Sequence, residues 1–437
     1  MRRRVRIAIA VALVAACSSR VEAQTPSPDA DGSWQLGGSL RTLAAVVQPP
    51  SGTAATPSDV GGFSQTLLRM TVDAKPSERL TFEFHLVQSY TYASPSTGLA
   101  AGSPAGFGLA VGDTRYRAVD ATADWFQRSN QVASLWVDRL NVKLALPKAD
   151  VTIGRQAITF GKAYFWNPLD EFLPFDARQI DRDYKAGVDA IRVDIPRGPF
   201  SGVNLVAAFG RELTPAGTYR DGDHAVAASW YGSAAIARYF TTLHGWDAAG
   251  QVGKVYGGYE IGGGATGEIA HLEVRGEAAY MWAMPNPPLP PPLPGRLIDD
   301  HLEAVAGIGK RFQNTLWIEL EHFHNGAGEP ENLDAALVRF VGGATLNLGR
   351  EITGITASYD LLPIVTSQIA ALHSWSDGSS EIQPTVSYSV SDNGDLVAGL
   401  SVGIGPAPVR TEPSMVHLRS EFGSFPRAYF VEFKWYF

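Results

Sequence analysis

The sequence predicts an all-β chain, a transmembrane antiparallel up-and-down β-barrel of about eighteen strands, with sixteen as the alternative count. Three observations carry this. The segment 429–437 alternates, with Tyr429, Val431, Phe433, Trp435 and Phe437 on one face and Phe430, Glu432, Lys434 and Tyr436 on the other. A strand that is apolar and aromatic on one side and charged on the other suits a wall with lipid outside and water inside. Period-two segments recur along the whole chain between turn signals, most of them long enough to cross a bilayer as a tilted strand of about 9–11 residues. Composition agrees. The chain has 45 Gly, 20 Phe, 15 Tyr and 10 Trp but only 18% charged residues, and its mean hydropathy is near zero, as expected where lipid-facing and water-facing positions alternate.

The N-terminus indicates the compartment. Arg2, Arg3, Arg4 and Arg6 form a basic region, Val5 to Ala16 is a short apolar run, and Val21-Glu22-Ala23 fits a small-x-small cleavage site before Gln24. Residues 1–23 are therefore expected to be an export signal, and 24–437 a single outer-membrane barrel domain. Val14-Ala15-Ala16-Cys17 also fits a lipobox, so acylation at Cys17 stays open. Cys17 is the only cysteine, which leaves the expected mature chain without a disulfide, a thiolate metal site or a cysteine nucleophile. Removing 1–23 takes away five Arg and one Glu and moves the formal charge from −8 to −12. A nucleic-acid partner, which needs a basic field, is not expected.

In order, the strands are read at 33–47, 63–74, 79–92, 131–147, 149–160, 186–196, 201–210, 226–241, 248–262, 266–281, 299–313, 315–326, 335–349, 351–364, 366–375, 380–392, 395–405 and 427–437. Tight hairpins join several, at Pro147-Lys148, Arg197-Gly198 and Asp392-Asn393-Gly394. Up to about residue 250, long connections (48–62, 93–130, 161–185, 211–225) alternate with short ones, as barrels with long outer loops and short periplasmic turns require. Beyond 260 the alternation becomes ambiguous. The proline-rich tract 285–294 then falls on the side counted as periplasmic, so either that connection is unusual or a strand nearby is mis-split.

The segment 136–195 is the most distinctive. Its central loop, 161–185, carries Lys162, Arg178, Arg182 and Lys185 against Asp170, Glu171, Asp176, Asp181 and Asp183. Near balance favours an ordered, ion-paired loop, with its Trp, Phe and Pro residues as a small core, folded inward to narrow a pore or capping it from outside. Gly154-Arg155-Gln156, Phe160-Gly161-Lys162, Trp166-Asn167-Pro168-Leu169-Asp170, Asp181-Arg182-Asp183-Tyr184-Lys185 and Gly187-Val188-Asp189-Ala190 resemble the outer-membrane porins grouped with the alginate export family. Ser420-Glu421-Phe422-Gly423 is similar to that group as well. The resemblance implies a monomeric barrel of about eighteen strands and says little about the solute. The final strand, Tyr429 to Phe437, resembles the C-terminal signal read by the outer-membrane barrel-assembly machinery, which together with outer-membrane lipid is an expected partner.

Strand parity separates inside from outside. Leu140, Val142, Leu144 and Leu146 are expected to face lipid, leaving Arg139, Asn141 and Lys143 inside. Ile191, Val193 and Ile195 face out, leaving Arg192 and Asp194 inside. Glu83 and His85, Glu273, Arg275 and Glu277, Glu319 and Glu321, and Glu432 and Lys434 make the remaining inner set acidic or mixed. The basic group is read either as a local anion path or as charges that pair across strands. The acidic balance argues against a polyanionic cargo. Candidates for a constriction or pore lining are Arg139, Asn141, Lys143, Arg155, Lys162, Asp170, Asp176, Arg178, Asp181, Arg182, Asp183, Lys185, Arg192 and Asp194.

Other chemistry is weakly marked. His322 and His324 share a strand face, and Asp170, Asp176, Asp181 and Asp183 offer carboxylates for Ca²⁺ beside competing basic residues. No Ser-His-Asp spacing marks a hydrolase, and Gly262-Gly263-Gly264, read as a turn, precedes no helix. No cofactor and no enzymatic activity are expected. The expected function is passive or gated diffusion, or export, of small hydrophilic or charged solutes. The alternative is a plugged barrel whose long outer loops bind a ligand or partner.

Overall fold

The computed structural model describes residues 34–50, 60–94, 114–180, 182–214, 219–221, 224–286, 288–289, 293–331, 333–412 and 415–437. The expected signal 1–23 with Cys17, and Asp181, lie outside these.

Eighteen antiparallel strands form one closed ring: β1 (Trp34–Gln48), β2 (Gly61–Ser77), β3 (Leu80–Ala93), β4 (Gln131–Leu146), β5 (Ala149–Gln156), β6 (Val188–Pro196), β7 (Ser201–Ala208), β8 (Ala234–Leu243), β9 (Trp246–Val255), β10 (Gly258–Ile269), β11 (Leu272–Ala283), β12 (His301–Arg311), β13 (Trp317–Asn325), β14 (Glu351–Leu362), β15 (Val365–Ser374), β16 (Ser380–Ser391), β17 (Gly394–Ile404) and β18 (Arg427–Tyr436). Each pairs with its sequence neighbours, and β18 also pairs with β1, placing Val431 opposite Ala44. Phe437 extends the seam by exchanging both backbone hydrogen bonds with Gly38, at 2.7 and 3.0 Å. A side chain at Gly38 would strike the Phe437 ring.

The wall is apolar outside and polar inside. Leu140, Ile153, Ile191, Val252, Ile261, Leu320, Ile355, Ile369 and Val386 are exposed, whereas Arg69, Asn141, Arg155, Glu277, Glu319, Glu321, Glu381 and Glu432 are buried. On β18, Tyr429, Val431, Trp435 and Phe437 are exposed and Phe433 half-buried, while Phe430, Glu432 and Lys434 turn inward, as the alternation predicts. Parity in β4 is broken once. Between the pairs His85↔Arg139 and Leu86↔Val137, the extra residue Asp138 forms a β-bulge. This puts both Arg139 and the fully buried Asp138 on the inner face.

Eighteen is the predicted number, but two errors in the strand reading cancel. Residues 335–349 are not a strand. They hold the helix α1 (Leu333–Val341) and a return segment, within the connection between β13 and β14. Leu333 and Ala336 pack with Leu337, Phe340 and Leu348, the i, i+3, i+4, i+7 spacing of one helix face. Conversely, 248–262 and 266–281 straddle three strands, β9, β10 and β11. Their real turns are Tyr256-Gly257, with Gly257 at φ +69°, and Ala270-His271, with φ +51° and +62°. The second is a primed hairpin turn without Gly or Asn, so it carries no composition signal. Gly262-Gly263-Gly264 sit inside β10 rather than in a turn.

With these corrections every long connection falls on one rim to the end of the chain, although that rim also carries two short ones, at 256–257 and 375–379. The connections at 78–79, 147–148, 197–200, 244–245, 270–271, 312–316, 363–364 and 392–393 are short and share one rim. The long ones, including 284–300 with the prolines, share the other, which by the rule for such barrels is the outer one. Strand ends are also trimmed: β5 stops at Gln156, and β8 begins at Ala234 rather than near 226. Above the end of β5, a short strand Thr122–Arg128 takes its place along β4.

Because the outer face meets hydrocarbon, a cation there is costly. Ile355→Arg is expected to lower the unfolding free energy of the refolded barrel in urea by about 2–4 kcal/mol, measured by tryptophan fluorescence in lipid vesicles.

Candidate functional site

The connection 157–187, between β5 and β6, enters the barrel and touches the inner wall around most of its circumference. On leaving β5 it buries Ile158, Phe160 and Phe172 against Val188, Val206, Ile236 and Tyr256. Farther on, Phe165, Trp166 and Ala177 pack with Val305, Phe323, Ile352, Leu372 and Phe422, and Trp166 stacks on Phe323 at 5.3 Å between centroids. These two clusters are the small core that its aromatic residues predict.

Wall carboxylates and amides hold its backbone. Glu321 accepts the N–H groups of Tyr164 (2.6 Å) and Phe165 (2.8 Å), and Glu277 accepts that of Lys162. Gln251 donates to the Leu169 carbonyl at 3.0 Å and Gln383 to that of Arg178 at 3.1 Å. The Trp166 indole donates to Asn347 at 2.8 Å. Two wall positions admit the loop because they lack a side chain. A Cβ on Gly262 would lie 2.6 Å from Leu169, and one on Gly354 2.7 Å from Phe165.

The loop's charges are paired, as their near balance predicts. Asp170 meets Lys185, Asp176 meets Arg178 at 2.7 Å, and Arg182 donates to the carbonyls of Tyr164 and Ala177. Burial pushes the Asp170 carboxyl up and the Lys185 ammonium down, and each opposes this shift in its partner. Between 160 and 187 only Lys162 and Asp183 are exposed among the described residues. Lys162 reaches Asp247 on β9 at 3.0 Å. Asp183 is held across the lumen by Arg41 (2.9 Å) and Lys434 (2.7 Å), at the seam of β1 and β18. With a cation on each of Asp170, Asp176 and Asp183, these carboxylates do not present a Ca²⁺ cage.

The predicted wall residues fall into two groups. Arg139 and Lys143 are matched across strands by Glu83 (3.1 Å) and Asp150 (2.7 Å), the pairing alternative of the sequence reading, while Arg192 meets Asp194 on its own strand at 2.8 Å. Asn141 donates to Glu83 at 2.7 Å. Arg155 is instead walled in. It binds Asp189 at 2.6 Å and the carbonyls of Val119 and Val137, behind the segment 114–120, whose Arg117 joins Arg69 on Asp138. Parity alone had not singled out Arg41, Gln251, Gln383 and Gln368, which donates to the Tyr164 hydroxyl at 2.6 Å, as residues that grip the loop, because nothing local in a strand marks which inner positions a distant loop will meet. His322 and His324 lie on the outer face, sharing Glu351 at 3.2 and 2.7 Å.

Ser420-Glu421-Phe422-Gly423 clamps two outer connections together. Fully buried Glu421 accepts hydrogen bonds from Asn347 Nδ2 (2.8 Å), Leu348 N (3.1 Å) and Gly349 N (2.8 Å). Burial outweighs these donors and pushes its carboxyl up to about 7.

No family model matches the chain, and no curated protein matches it. Solved structures do. OccAB4 of Acinetobacter baumannii aligns over 94% of this chain and 100% of its own, with TM-score 0.55 and 9% identity. The outer membrane protein OpdK of Pseudomonas aeruginosa aligns over 92% and 99%, with TM-score 0.51 and 7% identity. The fold is that of an outer-membrane porin. A closed eighteen-strand wall with an apolar outer face belongs in the bacterial outer membrane. OccAB1 of A. baumannii (TM-score 0.55, 9% identity, 92% of this chain and 96% of that one) and OpdK solved with vanillate (TM-score 0.51, 7%, 92% and 98%) share the architecture.

Two predictions test the anchors. Glu321→Ala leaves the amides of Tyr164 and Phe165 without an acceptor, costs about 1–3 kcal/mol, and is expected to make the 160–185 segment cleavable by added protease while the barrel stays intact. Glu421 has a folded pKa above its unfolded value, so its protonated form stabilises the fold below about pH 4.5 and that contribution is lost as pH rises through about 7. The wild type is expected to lose up to about 3 kcal/mol between pH 5 and 8, and Glu421→Gln to flatten that part of the urea stability profile.

Proposed function

We propose that the protein is a diffusion channel for hydrophilic solutes, with its lumen narrowed by the 157–187 connection. The observation that carries this is the loop's attachment to the inner face of strands as far apart as β9 and β18, at Gln251, Glu277, Glu321, Gln383 and Lys434. A segment tied at so many points holds a fixed aperture, and selection there follows from size and from the charged groups beside it. The exposed pair Lys162–Asp247 and the exposed Asp183, held by buried Arg41 and Lys434, are the charges a passing solute meets. The candidates Arg139, Asn141, Lys143, Arg192 and Asp194 line the wall in this reading. Arg155, Arg178 and Lys185 hold the constriction in place. OpdK, which shares the fold, has been solved with vanillate, which supports passage of small solutes. The similarity of 154–190 to the alginate export group adds a porin context and no cargo.

The second reading is a plugged barrel that binds a partner through its outer loops. The apolar clusters packed between the loop and the wall favour it. Single-channel recording in a planar bilayer separates the two. Discrete steps from the wild type, enlarged by deletion of 163–180, are expected for a constricted channel. Silence from the wild type with steps from the deletion variant means a plug, and silence from both removes the channel reading.

A further inference from the structure

We propose that Asp73, Glu83 and His85 form a divalent-metal site on the inner wall, in the periplasmic half of the barrel. Asp73 on β2 pairs directly with Glu83 on β3, and His85 lies two residues along the same face. Two carboxylate oxygens and one imidazole nitrogen from these residues fall within 4.8 Å of one another. An imidazole with two carboxylates suits a borderline ion such as Zn²⁺ better than Ca²⁺, which prefers an all-oxygen cage.

The surroundings orient these donors. The Tyr184 hydroxyl, at the end of the inward loop, pairs with His85 Nδ1, leaving Nε2 facing the carboxylates, 3.4 Å from Glu83 Oε1. Asn141 fixes the other Glu83 oxygen at 2.7 Å. Outer contacts of this kind set ring direction in metal sites. The His85 side chain is only 7% exposed, so an ion there is shielded on the wall side. The Asp73 carboxylate makes no hydrogen bond among the described residues. Arg139, 3.1 Å from Glu83, is the cation now opposing the acid pair. It also donates to the Lys185 carbonyl at 3.0 Å and so has a second anchor when a metal takes Glu83. Three protein ligands leave coordination positions to water, which makes the ion exchangeable.

The test is Zn²⁺ titration of the refolded, tag-free barrel in detergent, in competition with a chromophoric chelator. Heat-modifiable gel migration confirms that each variant is folded. Wild type is expected to bind one Zn²⁺ per chain at micromolar concentration. His85→Ala and the isosteric Asp73→Asn are each expected to weaken binding about ten-fold or more, and Arg139→Gln to tighten it by removing the competing cation. Double substitution of His322 and His324 by Ala is expected to leave binding unchanged. Absence of wild-type binding, unchanged binding in both ligand variants, or loss confined to the His322/His324 variant would each overturn the proposal.

Discussion

Everything in this molecule depends on the closure of the ring between β18 and β1. Hydrocarbon offers no hydrogen-bond partners, so an unpaired strand edge at membrane depth would leave a row of amides and carbonyls unsatisfied at several kcal/mol each. The seam removes that edge through ten paired positions, from Ser39↔Tyr436 to Gln48↔Arg427, and Phe437 continues it onto Gly38. Once the wall is continuous, the alternation of side chains divides the rest of the chemistry. Aliphatic residues meet lipid, and polar residues face an interior where they must find one another.

How they find one another explains the interior. Buried charges are tolerable only when paired and hydrogen-bonded, and here the inner groups are matched locally: Asp138 between Arg69 and Arg117, and Asp189 on Arg155. Other carboxylates are held chiefly by backbone amides, even with an arginine in reach. Glu321 and Glu421 each receive two from loops that cross to meet them. Buried carboxylates, Glu321 on the inner wall and Glu421 in an outer connection, thus serve as the acceptors on which the long connections are ordered. The 157–187 segment is held by hydrogen bonds at the wall and by aromatic packing between.

Much of this was legible in the sequence. Period-two alternation located most of the strands with a lipid face, because hydrocarbon tolerates few exceptions. Thus β4, β6 and β18 have the predicted faces. Two places resisted for identifiable reasons. The 335–349 segment reads as alternating apolar and polar residues, yet Leu333 just before it and its Ala336, Leu337 and Phe340 also satisfy a helical period, and burial under the outer connections decided for the helix. The β10–β11 turn uses Ala270 and His271 in left-handed conformations, which composition does not mark. For the candidate site, the loop's ion pairing was foreseeable from its balanced charges. Its wall partners were not, since contacts such as Gln383 with Arg178 span 205 residues.

Gly262 and Gly354 give the inward loop its seat. The wall is therefore a mould, and its missing side chains help determine where Leu169 and Phe165 come to rest. A single added methyl at either position displaces a rigid, multiply tethered segment rather than one side chain. The course of such a segment can then change without any substitution within it, so related chains with identical loops need not seat them alike.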